Sequence, residues 1–288
     1  MDNMQMEPSY DPRVHAYRSD LADKGLKDLI KAERYAEGAV RQVCAGVADI
    51  RNAADANAGR TSQALRGENV RVFDEANGWA WGQLETDGYV GYFPAACLSD
   101  ELITPTHEVA ALSTFIYPEP NIKTPSVEPV SFGSKLAVNG EEGDFLQIAG
   151  GGYVYASHLR PITRRGGNVL SEIEKFTGIP YLWGGRSAFG LDCSALVQLA
   201  CIAAGIPAPR DSDMQEAYLG ERLDHMDPSR LQAGDLIYWK DHTGMMLDAS
   251  SLIHVNGYHM MTVIEPLDEA ISRIAYLYAK PTSFRRLL

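Results

Sequence analysis

A cysteine in the last third of the 288-residue chain has the surroundings of a nucleophile. Cys193 opens an apolar stretch, residues 193–204, that is rich in helix formers and ends at Gly205. At the start of a helix, unpaired backbone N–H groups and the helix dipole favour a thiolate over a thiol. We therefore predict a lowered pKa and a nucleophilic role for Cys193, whereas Cys201, in the middle of the same helix, is predicted to be a core residue.

Two histidines downstream supply the base that such a cysteine needs. His242 and His254 each adjoin a short apolar run, and their spacing accommodates a strand, a turn and a return strand. The two imidazoles would then lie on one face of a hairpin. We predict that His242 takes the proton of Cys193 and that His254 holds the ring and tautomer of His242. A cysteine at a helix start or a single histidine is, taken alone, more often structural, and only the combination favours catalysis.

The composition excludes several classes of protein. The chain is 45% hydrophobic and 22% charged, as folded globular proteins are. It has 26 Lys+Arg against 38 Asp+Glu, a net charge of -12, so its surface repels phosphate backbones and nucleic acid is not expected as a partner. No apolar run approaches the roughly 20 residues that cross a bilayer. We therefore expect no membrane partner.

Scattered cysteines argue against a disulfide framework and against a metal cluster. Cys44, Cys97, Cys193 and Cys201 form no CxxC pair, so each is either a buried structural thiol or a lone reactive one. The seven histidines include no paired metal-ligand motif. A metallopeptidase is disfavoured, and we expect no cofactor.

The beginning of the chain bears on its location. Residues 1–20 contain no apolar segment after a basic one, so they do not have the form of a secretory signal. We expect a cytoplasmic protein. A trimmed N-terminus would hide an export signal, and the protein would then be secreted.

The first 163 residues contain three predicted parts. Residues 1–36 begin polar and then place leucines at near-helical spacing, which predicts an N-terminal helical segment. Residues 37–99 and 100–163 consist of short alternating strands and glycine-containing turns. Their closing segments, 91–98 and 152–159, both begin with Gly-Tyr and end with Leu, which predicts a duplicated β domain of about sixty residues. This closing pattern resembles the last strands of bacterial SH3-like domains.

The remainder, residues 164–288, mixes helices and strands. A helix is predicted around 169–177 and another over 193–204. Four short strand-like runs follow, GDLIYW, GMMLD, SLIHV and MTVIEPL. This order predicts an α+β domain in which helices pack on an antiparallel sheet.

Several short motifs follow one another in this domain. In chain order they are Tyr181-Leu182-Trp183-Gly184-Gly185, Leu191-Asp192-Cys193-Ser194, Gly205-Ile206-Pro207, Pro209-Arg210-Asp211-Ser212, Gln215, Gly234-Asp235-Leu236-Ile237-Tyr238-Trp239, His242-x-Gly244 and Ile253-His254. Together they resemble the NlpC family of cell-wall cysteine peptidases. The resemblance implies a papain-like α+β core with Cys193, His242 and His254 as the catalytic residues. The chain departs from the family's pattern at Ala195 and Thr243, neither of which is a reacting group.

Two SH3-like barrels ahead of an NlpC-type domain resemble the γ-D-glutamyl-L-diamino acid endopeptidases that process murein peptides for recycling. The resemblance implies that Tyr181 helps to form the oxyanion site. It also implies that Asp192 and Ser194 bind the substrate's amino group or neighbouring backbone and that Ser212 lines the pocket. In this group the first SH3-like domain selects a free N-terminal L-Ala with an acidic residue and a tyrosine, which correspond here to Asp55 and Tyr89.

Three functions remain open at this stage. The first is an intracellular cysteine endopeptidase that cuts the D-Glu-γ-diaminopimelate bond of small murein peptides. The second is a secreted hydrolase with the same chemistry on intact wall, with the SH3-like domains as wall anchors. The third is a non-catalytic module that binds wall peptide. The complete cysteine–histidine set argues against the third function, and the acidic chain without a visible signal favours the first.

Overall fold

Residues 10–38 contain no α-helix and fold onto the β-sheet that follows them. The computed structural model describes residues 10–164 and 167–287. Strands β1 (Leu21–Asp23) and β2 (Arg34–Ala36) pair in parallel, and a 3-10 turn over Lys24–Leu26 lies between them. The predicted helical segment is therefore wrong for residues 10–36, and residues 1–9 lie outside the described residues. The leucines do not share one helix face: Leu21 is buried, whereas Leu29 is 55% exposed.

Residues 39–99 form one seven-stranded antiparallel sheet, which we call the first β unit. Its strands are β3 (Ala39–Val43), β4 (Val47–Arg51), β5 (Arg60–Leu65), β6 (Asn69–Ala76), β7 (Trp79–Leu84), β8 (Val90–Pro94) and β9 (Leu98–Ser99), in the order β5-β4-β8-β7-β6-β3-β9. Alternate residues such as Ile50, Val70 and Phe93 fill its core. Asn77 and Gly78 form the turn that joins β6 to β7, and both residues have positive φ, as a tight hairpin requires.

Residues 107–161 form a second β unit of three small sheets. Its strands are β10 (His107–Val109), β11 (Ser113–Ile116), β12 (Glu128–Ser131), β13 (Lys135–Leu136), β14 (Val138–Glu142), β15 (Phe145–Ile148), β16 (Tyr153–Tyr155) and β17 (Leu159–Pro161). In both units the closing segment passes from a strand through a 3-10 turn, Ala95–Cys97 or Ala156–His158, into a last short strand. The closing segments of the two units therefore have the same local structure. The assignment of the second unit as SH3-like stays a prediction.

The C-terminal part places helices against a six-stranded antiparallel sheet, as expected for an α+β domain. Its elements are α1 (Val169–Glu174), β18 (Arg186–Ser187), β19 (Gly190–Leu191), α2 (Cys193–Ala203), α3 (Ser212–Tyr218), β20 (Glu221–Arg222), β21 (Asp235–Trp239), β22 (His242–Met246), β23 (Ser251–Asn256), β24 (Met261–Pro266), α4 (Leu267–Leu277) and β25 (Ser283–Arg286). The sheet order is β20-β25-β21-β22-β23-β24. Helix α2 is apolar on nearly every side because it is buried in the centre of this domain. Across the described ranges, every helix falls short of the length and apolarity that a bilayer crossing requires.

Buried charges join the first β unit to the C-terminal domain. The guanidinium of Arg186, 1% exposed, donates to Glu68 at 2.9 Å and to Gln198 at 2.6 Å. Arg210, equally buried, donates through Nε to the hydroxyl of Ser62 at 2.8 Å. Buried cations must have partners, and here the first β unit supplies some of them. These contacts fix that unit over the start of α2.

Candidate active site

Cys193 is the first residue of α2. Asp192 caps the helix, since its carboxylate accepts a hydrogen bond from the Ala195 amide at 2.9 Å. The Cys193 thiol donates to the carbonyl of Asp241 at 3.9 Å. Asp241 belongs to the two-residue turn between β21 and β22 and has a φ of 61°. The thiol therefore lies between the start of the helix and the residue that precedes His242.

The two predicted histidines lie on neighbouring antiparallel strands, as their spacing suggested. The β22–β23 register, continued from Met245↔Ile253, places Gly244 opposite His254 and puts His242 on the same face. A Cβ on Gly244 would come within 3.0 Å of the His254 Cβ. The glycine is needed because that Cβ would also come within 2.8 Å of Leu252 Cδ1, which leaves no room for a side chain here.

A chain of short contacts runs from His242 through His254 to Glu265. Nε2 of His242 lies 2.9 Å from Nδ1 of His254, and Nε2 of His254 lies 2.5 Å from Oε1 of Glu265. Arg273 donates two hydrogen bonds to the same carboxylate, at 2.5 and 2.6 Å. The amide nitrogen of Asn256 also approaches Nε2 of His254, at 3.0 Å.

The ionisation of Glu265 sets the tautomer of both rings. Although burial raises the pKa of Glu265, the hydrogen bonds from His254 and Arg273 lower it to about 2. The carboxylate can then only accept, so Nε2 of His254 carries a proton and Nδ1 accepts from Nε2 of His242. This arrangement leaves Nδ1 of His242 without a proton. His242 therefore presents a lone pair, which a general base requires.

The predicted thiolate at Cys193 is not what the structure favours. Burial, and then the Asp192 carboxylate, raise the pKa of Cys193 to about 12, against backbone hydrogen bonds that lower it. Burial, and then the charge of a protonated His254, lower the pKa of His242 to about 3. The helix-start effect is real but smaller than the loss of solvent. Both shifts favour a neutral thiol and a neutral imidazole, from which the thiol loses its proton as it attacks.

A cavity of about 590 Å³ opens over these groups, a usual size for a small-ligand site. It is lined by all of the sequence-predicted site residues except one: Cys193, His242, His254, Tyr181, Asp192, Ser194, Ser212 and Tyr89. Burial raises the pKa of Tyr181 to about 12, so its hydroxyl keeps the proton that an oxyanion donor needs. Among the described residues, no group of His, Cys, Asp and Glu side chains is arranged to hold a metal ion.

Asp55 is the exception. It lies in the exposed loop between β4 and β5, where its carboxylate accepts from the Asn57 amide at 2.8 Å, and it does not line the cavity. A loop of polar residues has no periodic pattern that would show which of its side chains faces the cavity. The short side chain of Asp can instead accept a hydrogen bond from the backbone of its own turn. The structure therefore corrects Asp55 as a site residue.

The carboxylate of Asp192 is already occupied. It accepts from the Ser194 hydroxyl at 3.2 Å and from both terminal nitrogens of Arg210, at 2.9 and 2.6 Å, as well as from the helix start. These contacts hold the Asp192–Ser194 turn in place beside Cys193. They leave Asp192 little capacity to bind a substrate ammonium.

A second carboxylate in the cavity is better placed for that task. Tyr89 of the first β unit donates its hydroxyl to Oδ2 of Asp211 at 3.2 Å, and Arg13 donates to the same oxygen at 2.9 Å. Within residues 10–164 and 167–287, no donor contacts Oδ1 of Asp211. Asp211 precedes α3, and the sequence analysis quoted it only as part of a motif. For this end of the cavity Tyr89 was named only through the family resemblance, and nothing in the sequence singled out Asp211.

Glu265 and Arg273 were also missed. Both stand in segments whose hydrophobic pattern explains them as solvent-facing charges on β24 and α4. Only the fold brings β24 beside β23 and thus the carboxylate against His254.

Family models match two parts of the chain. Residues 178–280 match the NlpC/P60 family, and residues 50–98 match the bacterial dipeptidyl-peptidase SH3 domain. The chain carries an NlpC/P60 domain. A bacterial SH3 domain precedes it, and the match lies within the first β unit. The NlpC/P60 domain is a peptidase of the cysteine type, in agreement with the cysteine and histidines assembled in its cavity.

Several relatives match over most of the chain. A γ-D-glutamyl-L-lysine dipeptidyl-peptidase of Bacillus cereus is 28% identical over 72% of this chain and 70% of its own length. Dipeptidyl-peptidase 6 of Lysinibacillus sphaericus is 25% identical over 79% of this chain and 91% of its own. The crystal structure of an NlpC/P60 family protein from Bacillus cereus superimposes with a TM-score of 0.72, covering 87% of this chain and all of that one at 21% identity. This last likeness confirms the fold.

Proposed function

We propose that this protein is a cysteine endopeptidase that hydrolyses the γ-D-glutamyl-L-diamino acid bond, with diaminopimelate as the diamino acid, in murein peptides with a free N-terminal L-Ala. The observation that carries the proposal is that Tyr89 and Asp211 meet in the same cavity as Cys193. The reacting groups and a carboxylate able to hold an ammonium thus lie in one small space.

The chemistry begins with proton transfer. As the Cys193 sulfur attacks the scissile carbonyl, its proton passes to Nδ1 of His242, which the hydrogen bond to His254 leaves unprotonated. Tyr181, with its proton retained, donates to the oxyanion that develops. His242 then returns the proton to the leaving amine. Water, deprotonated by His242, finally hydrolyses the thioester and restores the thiol.

Recognition of the substrate's N-terminus is assigned to the other end of the cavity. An ammonium loses its hydration when it enters a half-buried site, so it needs a charged acceptor there. The carboxylate of Asp211 has a free oxygen for this purpose and is held by Tyr89 from the first β unit. Because this carboxylate and Cys193 line one cavity of about 590 Å³, the N-terminal product is limited to a short peptide.

The relatives support the substrate class. Two Bacillus proteins at 28% identity are named γ-D-glutamyl-L-lysine dipeptidyl-peptidases, which implies removal of a dipeptide at a γ-D-glutamyl bond. Peptides with a free N-terminal L-Ala arise only after release from the glycan. A role in the recycling of released wall peptides, in the cytoplasm, is therefore part of the same proposal.

The decisive experiment compares three substrates by mass spectrometry: L-Ala-γ-D-Glu-meso-diaminopimelate, the same peptide N-acetylated, and purified sacculi. We expect cleavage after the second residue of the free peptide and a loss of at least about a hundredfold in kcat/KM on acetylation, since a charged contact in a half-buried site is removed. Comparable rates on free and acetylated peptides, with products released from sacculi, would instead support a wall hydrolase. Binding without turnover of any of the three would support a binding module.

A further inference from the structure

Arg13, which precedes the first β unit, reaches into the cavity that contains Cys193. Its guanidinium donates to Asp211 at 2.9 Å and to both oxygens of Asp213, at 2.9 and 2.6 Å. It also donates to the carboxylate of Asp11, at 2.7 to 3.1 Å. One guanidinium therefore bridges three carboxylates, two of which belong to the NlpC/P60 domain.

The backbone around Arg13 is bonded to the SH3 domain. The Val90 amide donates to the carbonyl of Arg13 at 2.8 Å, and the Gln83 side chain donates to the carbonyl of Val14 at 2.9 Å. Gln83 and Val90 belong to β7 and β8, the strands on either side of Tyr89. The Arg13 side chain thus spans from these strands to Asp211, just ahead of α3.

We propose that Arg13 is a positioning residue for recognition of the substrate's N-terminal ammonium, because it fixes the Asp211 carboxylate and closes the cavity beyond it. This inference rests on the proposed function. Three carboxylates share one guanidinium, so the cluster keeps a net negative charge and attracts a second cation. Arg13 and Tyr89 both bond Oδ2 of Asp211, which turns Oδ1 to the incoming ammonium.

The opposite role would make Arg13 an inhibitor that occupies the place of the ammonium. The geometry favours positioning over competition, because Arg13 contacts only one oxygen of Asp211. The two roles predict opposite changes in KM when the side chain is removed.

Arg13 also affects the ionisation of Asp211. The charged and titratable groups that act on its carboxylate are Arg13, Tyr89, Asp192 and Arg210. Burial raises the pKa of Asp211, while Arg210 and Arg13 oppose that rise. Loss of Arg13 raises this pKa further, so Asp211 is protonated at a higher pH and binds the ammonium less well in mildly acidic solution.

The test measures kcat and KM for the free tripeptide in wild type, Arg13→Ala and Arg13→Lys. We expect a roughly tenfold rise in KM for Arg13→Ala with little change in kcat, as for a lost hydrogen bond to a charged group. Its KM should climb more steeply than that of wild type as the pH falls from 7 to 5. Arg13→Lys should recover part of the affinity, since the charge remains but the planar fork is lost.

Arg18→Ala is the matched control. Arg18 fixes the same segment to the SH3 domain through Asp74 at 2.7 Å and does not line the cavity. An equal rise in KM for Arg18→Ala would overturn the proposal in favour of simple stabilisation of the segment, and a fall in KM for Arg13→Ala would overturn it in favour of inhibition. If wild type cleaves free and acetylated peptides equally, the proposed function fails. If wild type discriminates and Arg13→Ala keeps the wild-type KM, only the role of Arg13 fails.

Discussion

At one end of the cavity the reacting groups lie on a single β-hairpin and on the helix packed against it. At the other end, Arg13, Tyr89 and Asp211 come from three separate parts of the chain. At the first end His254 is fully buried and Cys193 and His242 are partly exposed, and the proton positions follow from one carboxylate, Glu265. The second end is half-buried and holds its charges by ion pairing between domains. Substitutions at the first end should therefore change mainly kcat, and substitutions at the second end should change mainly KM.

Removal of the nucleophile tests this division most severely. Cys193→Ala should lower kcat by several orders of magnitude, as for other enzymes that lose their nucleophile, while binding of the free peptide persists. Cys201→Ala, eight residues further along α2 and fully buried, is the control and should keep kcat within a few-fold of wild type. The measurement is kcat of both variants, determined at equal concentrations of folded protein. A Cys193→Ala variant with wild-type turnover would refute the mechanism.

The two histidines should not be equivalent. His242→Ala should lose roughly 10²–10⁴ in kcat, the usual contribution of a general base, whereas His254→Gln should keep measurable activity because an amide can still accept from Nε2 of His242. Turnover of both variants, with circular dichroism as the check on folding, gives the comparison. Equal losses would mean that the roles are misassigned, and a larger loss for His254→Gln would make His254 the base.

Glu265→Gln tests what the charge of Glu265 contributes to catalysis. The amide keeps an acceptor for His254 but loses the charge, so we expect a roughly tenfold fall in kcat. The Glu265 carboxylate raises the pKa of His242, and its neutralisation lowers that pKa further. The acid limb of the kcat profile should therefore move to lower pH. Glu269→Gln, an exposed change on α4 that also faces Arg273, is the control and should leave the profile unchanged.

The smallest effect belongs to the amine end. Tyr89→Phe removes one hydrogen bond to Asp211 and keeps the buried ring, so KM for the free peptide should rise by roughly two- to tenfold with kcat unchanged. Steady-state kinetics on free and acetylated peptides measure it. A change confined to kcat would place Tyr89 with the reacting groups and remove the distinction between the two ends.

The elements that carry Cys193, His242 and His254 were predictable because their signals are local. A helix start is visible in the apolar run after Cys193, and the spacing of His242 and His254 follows from the period of a strand. The sequence did not reveal that burial outweighs the effect of the helix start at Cys193. Burial raises the pKa of this thiol, whereas we had expected it to be lowered. Solvent exclusion depends on everything that packs around a group and has no local pattern.

The amine end was only partly predictable because it depends on contacts between distant segments. Tyr89 was identified through a family resemblance, Asp55 was placed wrongly, and Arg13 lay in a segment expected to be helical. A charged residue on a loop or at the end of a segment can be solvated in many different positions, so the sequence alone does not show which contacts it makes. Only packing between domains selects which of these residues meet.

Arg186 has a consequence for how such proteins recombine. Its buried guanidinium belongs to the NlpC/P60 domain, but its ionic partner Glu68 belongs to the SH3 domain, and loss of one partner of a buried pair costs about 3–5 kcal/mol. Arg210 pairs with Asp192 of its own domain and takes one further, neutral hydrogen-bond partner, Ser62, from the SH3 domain. Transfer of this NlpC/P60 domain by gene fusion without Glu68 and Ser62 should therefore destabilise it, although each domain has a core of its own.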